Sequence, residues 1–165
     1  MEPVTWNVSI ALIASAAFHI GEETVKGFRT FLNTEWFDGT KNCPVGRLRG
    51  IWIDKIGLWL FLAFSALLGS LFDGRWILVG AGIVTADIVQ HALFSLGMKR
   101  YTPGLATCVL YLLYIAYFLA QFPVSSLADD VWAWAAMAAG AAFIGGNYLS
   151  ASHKVRRGDC AKAAA

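Results

Sequence analysis

Residues 76–98 read WILVGAGIVTADIVQHALFSLGM, an apolar run of 23 residues interrupted by Asp87, Gln90 and His91. A helix of roughly 17–25 apolar residues spans the hydrocarbon of a bilayer. An ionised group at the centre of such a span costs roughly 2.5–3.5 kcal/mol on insertion scales. The run therefore predicts a transmembrane helix, and Asp87 and His91, one helical turn apart within it, mark a functional position.

The rest of the chain is built in the same way. Of 165 residues, 58% are hydrophobic and 15% charged, and seven are tryptophan, a balance too apolar for a soluble domain of this length to hide in one core. Further apolar runs occupy 6–20, 56–72, 105–122 and 131–149, separated by the turn-forming stretches DGTKNCPVGRLRG, DGR, KRYTPG and FPVSSLADD. The expected fold is all-α, a polytopic membrane protein formed as a bundle of about five transmembrane helices. These helices are expected near 6–32, 51–72, 76–98, 104–122 and 131–151, in a single integral membrane domain over 1–165 with a short tail at 152–165. The first run lacks a basic leader and a small-residue cleavage site, so it reads as a retained helix and not as a signal peptide.

Basic residues set the orientation. Lys41, Arg47 and Arg49, then Lys99 and Arg100, then Lys154, Arg156 and Arg157 alternate with Glu2, Asp73 and the Asp129–Asp130 pair. The N-terminus is expected outside and the C-terminus in the cytoplasm. A net charge of +2 spread over short basic clusters argues against nucleic acid as a partner, and leaves the lipid bilayer as the expected one. The three cysteines are too few for a disulfide framework. Cys43 and Cys160 face a reducing compartment and Cys108 lies in the fourth helix, so all three are expected as thiols.

In this orientation the costly polar side chains share one depth. His19, Glu22 and Glu23, in the stretch AAFHIGEETVKGF at 16–28, close the first helix at its cytoplasmic end. Asp54 and Lys55 open the second, Asp87, Gln90 and His91 fall in the cytoplasmic half of the third, and Asn147 and His153 close the fifth. At about 100° per residue, Glu22 and Glu23 flank His19, with Lys26 below on the same face. Facing helices that each carry carboxylate and imidazole are how helical bundles build transition-metal sites. His19, Glu22, Glu23, Asp87 and His91 are therefore the candidate ligands of a divalent transition metal, with zinc, iron and manganese suited to mixed donors. His19, Glu22 and Glu23 are the candidate catalytic groups. Two adjacent carboxylates in a low-dielectric layer do not both ionise cheaply, which makes one of them a working acid/base.

The fourth helix carries Thr107, Tyr111, Tyr114, Phe118 and Gln121 at three- and four-residue steps. With Asn147, the residues Thr107, Tyr111 and Tyr114 are the candidate lining of a pocket for a lipophilic small molecule. Pro103 and Gly104 read as the start of that helix. The Ala- and Gly-rich stretch 135–146 reads as a close helix-packing face.

The motif His19-Ile20-Gly21-Glu22-Glu23 resembles the signature of the bacterial HXXEE-motif membrane family, whose members also carry Asn-Ala-x-x-His and Pro-Gly-x-x-Thr. Here Asp87-Ile88-Val89-Gln90-His91 keeps the histidine with Asp-Ile for Asn-Ala, and Pro103-Gly104-Leu105-Ala106-Thr107 matches in full. The resemblance implies a small polytopic protein of a bacterial cytoplasmic membrane and brings no assigned activity.

Two function classes follow. One is an intramembrane enzyme acting on a lipophilic substrate from the cytoplasmic leaflet, either metal-dependent or a metal-free acid/base isomerase or cyclase of a lipid or terpenoid. The other is a transporter or binding protein for a metal ion or protons. The outer helix halves, IALIASAA and FLAFSALLGSLF, offer only serines where an ion pathway needs polar groups throughout, and no internal repeat is present. That favours the enzyme, with a metal.

Overall fold

The computed structural model describes the backbone of residues 3–31, 35, 51–122 and 130–156, and side chains over 6–28, 31, 35, 58–122, 130–146, 148 and 149. Long stretches of Leu, Ala, Ile and Phe without interior proline form helices because a helix satisfies its own N–H and C=O groups within one segment. The chain is accordingly all-α. Its elements are α1 (Pro3–Val25), α2 (Phe28–Phe31), α3 (Ile51–Leu71), α4 (Arg75–Met98), α5 (Cys108–Gln121) and α6 (Val131–Arg156). Five are long and α2 is a single turn.

Where the last helix is expected to end at 151 before a tail at 152–165, α6 runs on to Arg156. Two other helix ends also differ from the sequence expectation, and both position the site. Where one helix over 6–32 is expected, α1 stops at Val25 and Gly27 takes a left-handed φ of 70°. Glycine adopts that backbone without a Cβ clash, and the resulting turn folds α2 back so that Phe28 and Phe31 pack on Phe94 of α4. Where a helix from 104 is expected, α5 begins at Cys108. Residues 102–107 form a turn in which Gly104 has φ 92°.

Side chains hold the described ends of α4 and α6. Asp73 Oδ1 accepts from the Arg75 N–H at 2.9 Å, and Asp130 Oδ1 accepts from the Trp132 and Ala133 N–H groups at 3.0 and 3.3 Å, each satisfying donors that a helix start leaves open. Arg75 Nε reaches Asp130 Oδ2 at 2.9 Å and ties the starts of α4 and α6 together. α4 ends at Lys99 in the left-handed conformation, and the buried Thr102 shares a 2.6 Å hydrogen bond with Ser95.

α4 is the hub. It packs most extensively on α6 and also meets α3 and α5, while α1 lies on α3 and α5. At the α4–α6 seam a Cβ on Gly82 would meet the backbone of Met137, and one on Gly140 the backbone of Val79 and Ile83, so only glycine lets these helices approach so closely. The main apolar core gathers Val8, Leu12, Leu62, Ile77, Ile83, Val84, Tyr111, Tyr114 and Phe118 between the helices.

The polarity of the surface is inverted. On α5, Leu113 is 62% exposed while Tyr111 is 1% exposed, and on α4, Leu96 is 73% exposed while His91 is fully buried. A soluble helix hides its leucines, and large apolar surfaces of this kind face an apolar partner. Among the described residues, Trp6–Val25 and Arg75–Met98 are long and apolar enough to cross a membrane, whereas Leu58–Leu71, Cys108–Gln121 and Val131–Gly146 are shorter apolar helices. Cys108 is a buried free thiol. Cys43 and Cys160, the basic loop at 41–49 and the side chains of Asp54, Lys55, Asn147 and His153 lie outside the described residues.

Candidate metal centre

α1 and α4 each present a histidine and a carboxylate one turn apart, and the bundle brings the two pairs together. His19 and His91 are fully buried, and Glu23 and Asp87 nearly so. His19 Nε2 lies 2.9 Å from Asp87 Oδ2 and 3.9 Å from Glu23 Oε1. His91 Nε2 lies 3.4 Å from Glu23 Oε1 and 3.9 Å from Asp87 Oδ1. One donor atom from each of His19, Asp87 and His91 falls within 4.8 Å of the others, and Glu23 joins them through its contacts to both imidazoles.

Aromatic rings wall this layer. Tyr111 lies over the face of the His19 imidazole with centroids 4.6 Å apart, and the edge of His91 meets the same ring at 4.9 Å. Phe28, delivered by the break at Gly27, covers His91 at 4.7 Å, and Phe94 stands edge-on to it at 6.2 Å.

Glu22 goes elsewhere. Positions three and four residues after His19 lie on opposite flanks of one helix face. Glu23 turns toward α4 and Glu22 toward the turn before α5. There its Oε2 accepts from the Thr107 N–H at 2.7 Å and the Thr107 hydroxyl at 2.5 Å, and its Oε1 from the Gly104 N–H at 3.3 Å and the Tyr101 hydroxyl. The carboxylate thus caps the N-terminus of α5, where an anion is favoured by open N–H groups and the helix dipole. Thr107 Oγ1 is also 2.9 Å from His19 Nδ1, on the side of the ring away from the cluster.

Of the expected pocket residues, Thr107 therefore bridges Glu22 and His19, and Tyr111 packs directly on His19. Tyr114 is buried in the core with its hydroxyl outside any hydrogen bond among the described residues. The Asn147 side chain lies outside the described residues. Sequence reasoning misses Tyr101 and Phe28 and gives Gly104 only a helix-starting role. The signal for Gly104 was present as Pro-Gly three residues before a threonine, but its partner on α1 is 82 residues away and no local pattern names it.

The residues so arranged coincide with a known sequence pattern. A family model described as "Protein of unknown function with HXXEE motif" matches residues 10–119, well over half of the chain. The chain belongs to this family. No curated protein and no solved structure compared with the chain matches it.

Proposed function

We propose that this HXXEE-motif protein is an intramembrane enzyme that holds one divalent transition metal, zinc, iron or manganese, between His19, Asp87, His91 and Glu23. It acts on a lipophilic substrate reached from the cytoplasmic leaflet. One observation carries the metal. Ligands about 2.1 Å from a tetrahedral ion stand about 3.4 Å from one another, and the four imidazole-to-carboxylate contacts of the cluster, two between α1 and α4 and one within each helix, run from 2.9 to 3.9 Å around that value. Two imidazoles and two carboxylates form a donor set suited to these metals, and the two carboxylate charges match a divalent ion. When bound, such an ion supplies Lewis-acid polarisation of a carbonyl or phosphoryl oxygen or lowers the pKa of water.

The chain's own residues do the rest. Tyr111 and Phe28 fix the planes of the two imidazoles and keep water from them, which strengthens every electrostatic interaction inside. The inverted surface of α4 and α5 supports a bilayer around the bundle and the reading of the five long helices as spans, and the alternating basic segments support the N-terminus outside. The transporter alternative needs polar groups across the whole thickness. The buried serines of the opposite half are instead committed to backbone or to one another, Ser15 to the Leu12 carbonyl of its own helix at 2.9 Å and three others to neighbouring helices. Ser9 bonds the Ala66 carbonyl at 3.1 Å and Ser70 at 2.8 Å, and Ser65 donates to the Trp76 carbonyl.

The test is elemental analysis of full-length protein purified in detergent without chelator. About one equivalent of a transition metal is expected, lost in His91→Ala with helicity retained. Less than about a tenth of an equivalent replaces this reading with a metal-free acid/base pair, for which His19 and Asp87 at 2.9 Å are placed.

A further inference from the structure

We infer that Glu22 is a positioning residue that acts through Thr107 to fix the tautomer of His19, protonating Nδ1 and leaving the Nε2 lone pair aimed at the cluster. What this does for an ion rests on the metal reading above, whereas the proton placement itself belongs to the metal-free protein.

For an ionised Glu22 and a neutral His19 the geometry favours one proton arrangement. Thr107 Oγ1 touches three atoms: Glu22 Oε2 at 2.5 Å, His19 Nδ1 at 2.9 Å and the Gly104 carbonyl at 3.2 Å. A hydroxyl carries one proton. Apart from the Thr107 hydroxyl, Glu22 receives three hydrogen bonds from the turn at 101–107, the pattern of an ionised carboxylate, which only accepts. Were the Thr107 proton given to Nδ1, two oxygens would face each other at 2.5 Å with no proton between them. The Thr107 proton therefore goes to Glu22, and Thr107 Oγ1 accepts from Nδ1–H of His19. The other ring nitrogen is then a bare donor atom. Consistent with this, His19 Nε2 makes no directed hydrogen bond among the described residues although Asp87 Oδ2 is only 2.9 Å away. A lone pair beside a carboxylate oxygen at that distance is repulsive until a cation or a proton sits between them.

The two glutamates of the motif thereby divide their labour. Glu23 stands in the donor layer, and Glu22 stands one shell behind it and selects which nitrogen of His19 is offered. Outer partners of this kind set ligand orientation and basicity and are worth roughly 10–100-fold in metal affinity.

The test is long-range ¹H–¹⁵N correlation NMR of the imidazoles in ¹⁵N-labelled full-length protein in detergent, first zinc-free and then with zinc alone. The chain has three histidines, so His91→Gln and His153→Gln assign the spectrum. His19 is expected as the Nδ1–H tautomer, with zinc shifting Nε2 and leaving Nδ1–H in place. Thr107→Val, near-isosteric but without the hydroxyl, is expected to mix the tautomers and weaken zinc binding about 10–100-fold, while Thr107→Ser restores both. A wild-type His19 protonated at Nε2, with or without zinc binding, overturns the inference and needs no variant. So does a Thr107→Val protein with unchanged tautomer and affinity. Failure of the metal reading looks different: zinc moves no imidazole signal, while the Nδ1–H tautomer and its dependence on Thr107 persist and uphold the relay.

Discussion

Gly104 lies flat against the imidazole of His91. A Cβ on this glycine would meet Cε1, Nε2 and Nδ1 of the ring, and its φ of 92° is one that other residues rarely adopt. The Pro103-Gly104 pair is thus more than a helix start: it lets the backbone before α5 close over the cluster while its N–H donates to Glu22.

Gly104→Ala is therefore expected to destabilise the protein by about 1–3 kcal/mol through backbone strain alone, with the displaced His91 ring adding loss of bound metal. Gly21→Ala serves as the control, since no described atom lies within 4 Å of a Cβ there and the site is inside α1. It is expected to stabilise by about 0.5–1 kcal/mol. Thermal unfolding in detergent with parallel metal analysis checks both, and equal melting temperatures would refute the packing argument.

Asp87 contacts both imidazoles, through one oxygen each. Asp87→Asn keeps the size and removes the charge. It should lower zinc affinity by more than the roughly 10–100-fold typical of a supporting group, because a ligand itself is lost. Competition with a zinc chelator of known affinity gives the number, and an unchanged value would remove Asp87 from the ligand set.

The α4–α6 seam makes a separate claim. Gly82 and Gly140 each face partner backbone, which cannot rotate aside as a side chain does. Alanine at either position is expected to cost about 1–3 kcal/mol by overpacking. Alanine at Gly145 or Gly146, where a Cβ meets nothing within 4 Å among the described residues, should leave the melting temperature unchanged or raised.

What the sequence made legible follows physical range. The five long helices are written locally, in apolar runs bounded by turn residues, and the layer shared by His19, Glu23, Asp87 and His91 follows from helix rise once successive helices are taken to run in opposite directions. The interruption at Gly27 is written less clearly, because a single glycine inside a helical pattern is often tolerated and only the docking of Phe28 on His91 selects the turn. The separation of Glu22 from Glu23 is not local at all. Both flank His19 equally on α1, and what distinguishes them is which neighbour each flank meets. That is decided by packing of α5 and α4, elements about 65 to 85 residues further along.

Topology offers a test independent of the site. From the alternating basic segments, a reporter fused after Ala165 is expected in the cytoplasm and one inserted at Ser125 or Ser126 outside. Protease protection or reporter activity reads the two sides, and both reporters on one side would overturn the five-span reading.

The two glutamates of the motif provide the sharpest contrast, because the same substitution is expected to fail in two different ways. Glu23→Gln replaces a carboxylate 3.4 Å from His91 Nε2 by an amide whose oxygen is a far weaker metal donor. Bound metal should be lost. Yet the metal-free variant should melt no lower than the metal-free wild type, since it carries one less charge into a buried layer that already holds Asp87. Glu22→Gln acts on a carboxylate that accepts four hydrogen bonds. An amide has one oxygen and an NH₂, so at least one donor from Tyr101, Gly104 or Thr107 must face another donor. An unsatisfied buried donor costs about 1–3 kcal/mol, and the metal-free protein itself should melt lower. Metal affinity should fall as well, by weakened orientation of His19 and not by loss of a ligand, so saturating zinc restores occupancy in Glu22→Gln but not in Glu23→Gln. Melting curves of both variants with and without zinc separate the cases. Identical behaviour would mean that the glutamates share one role and that the division read from their partners is wrong.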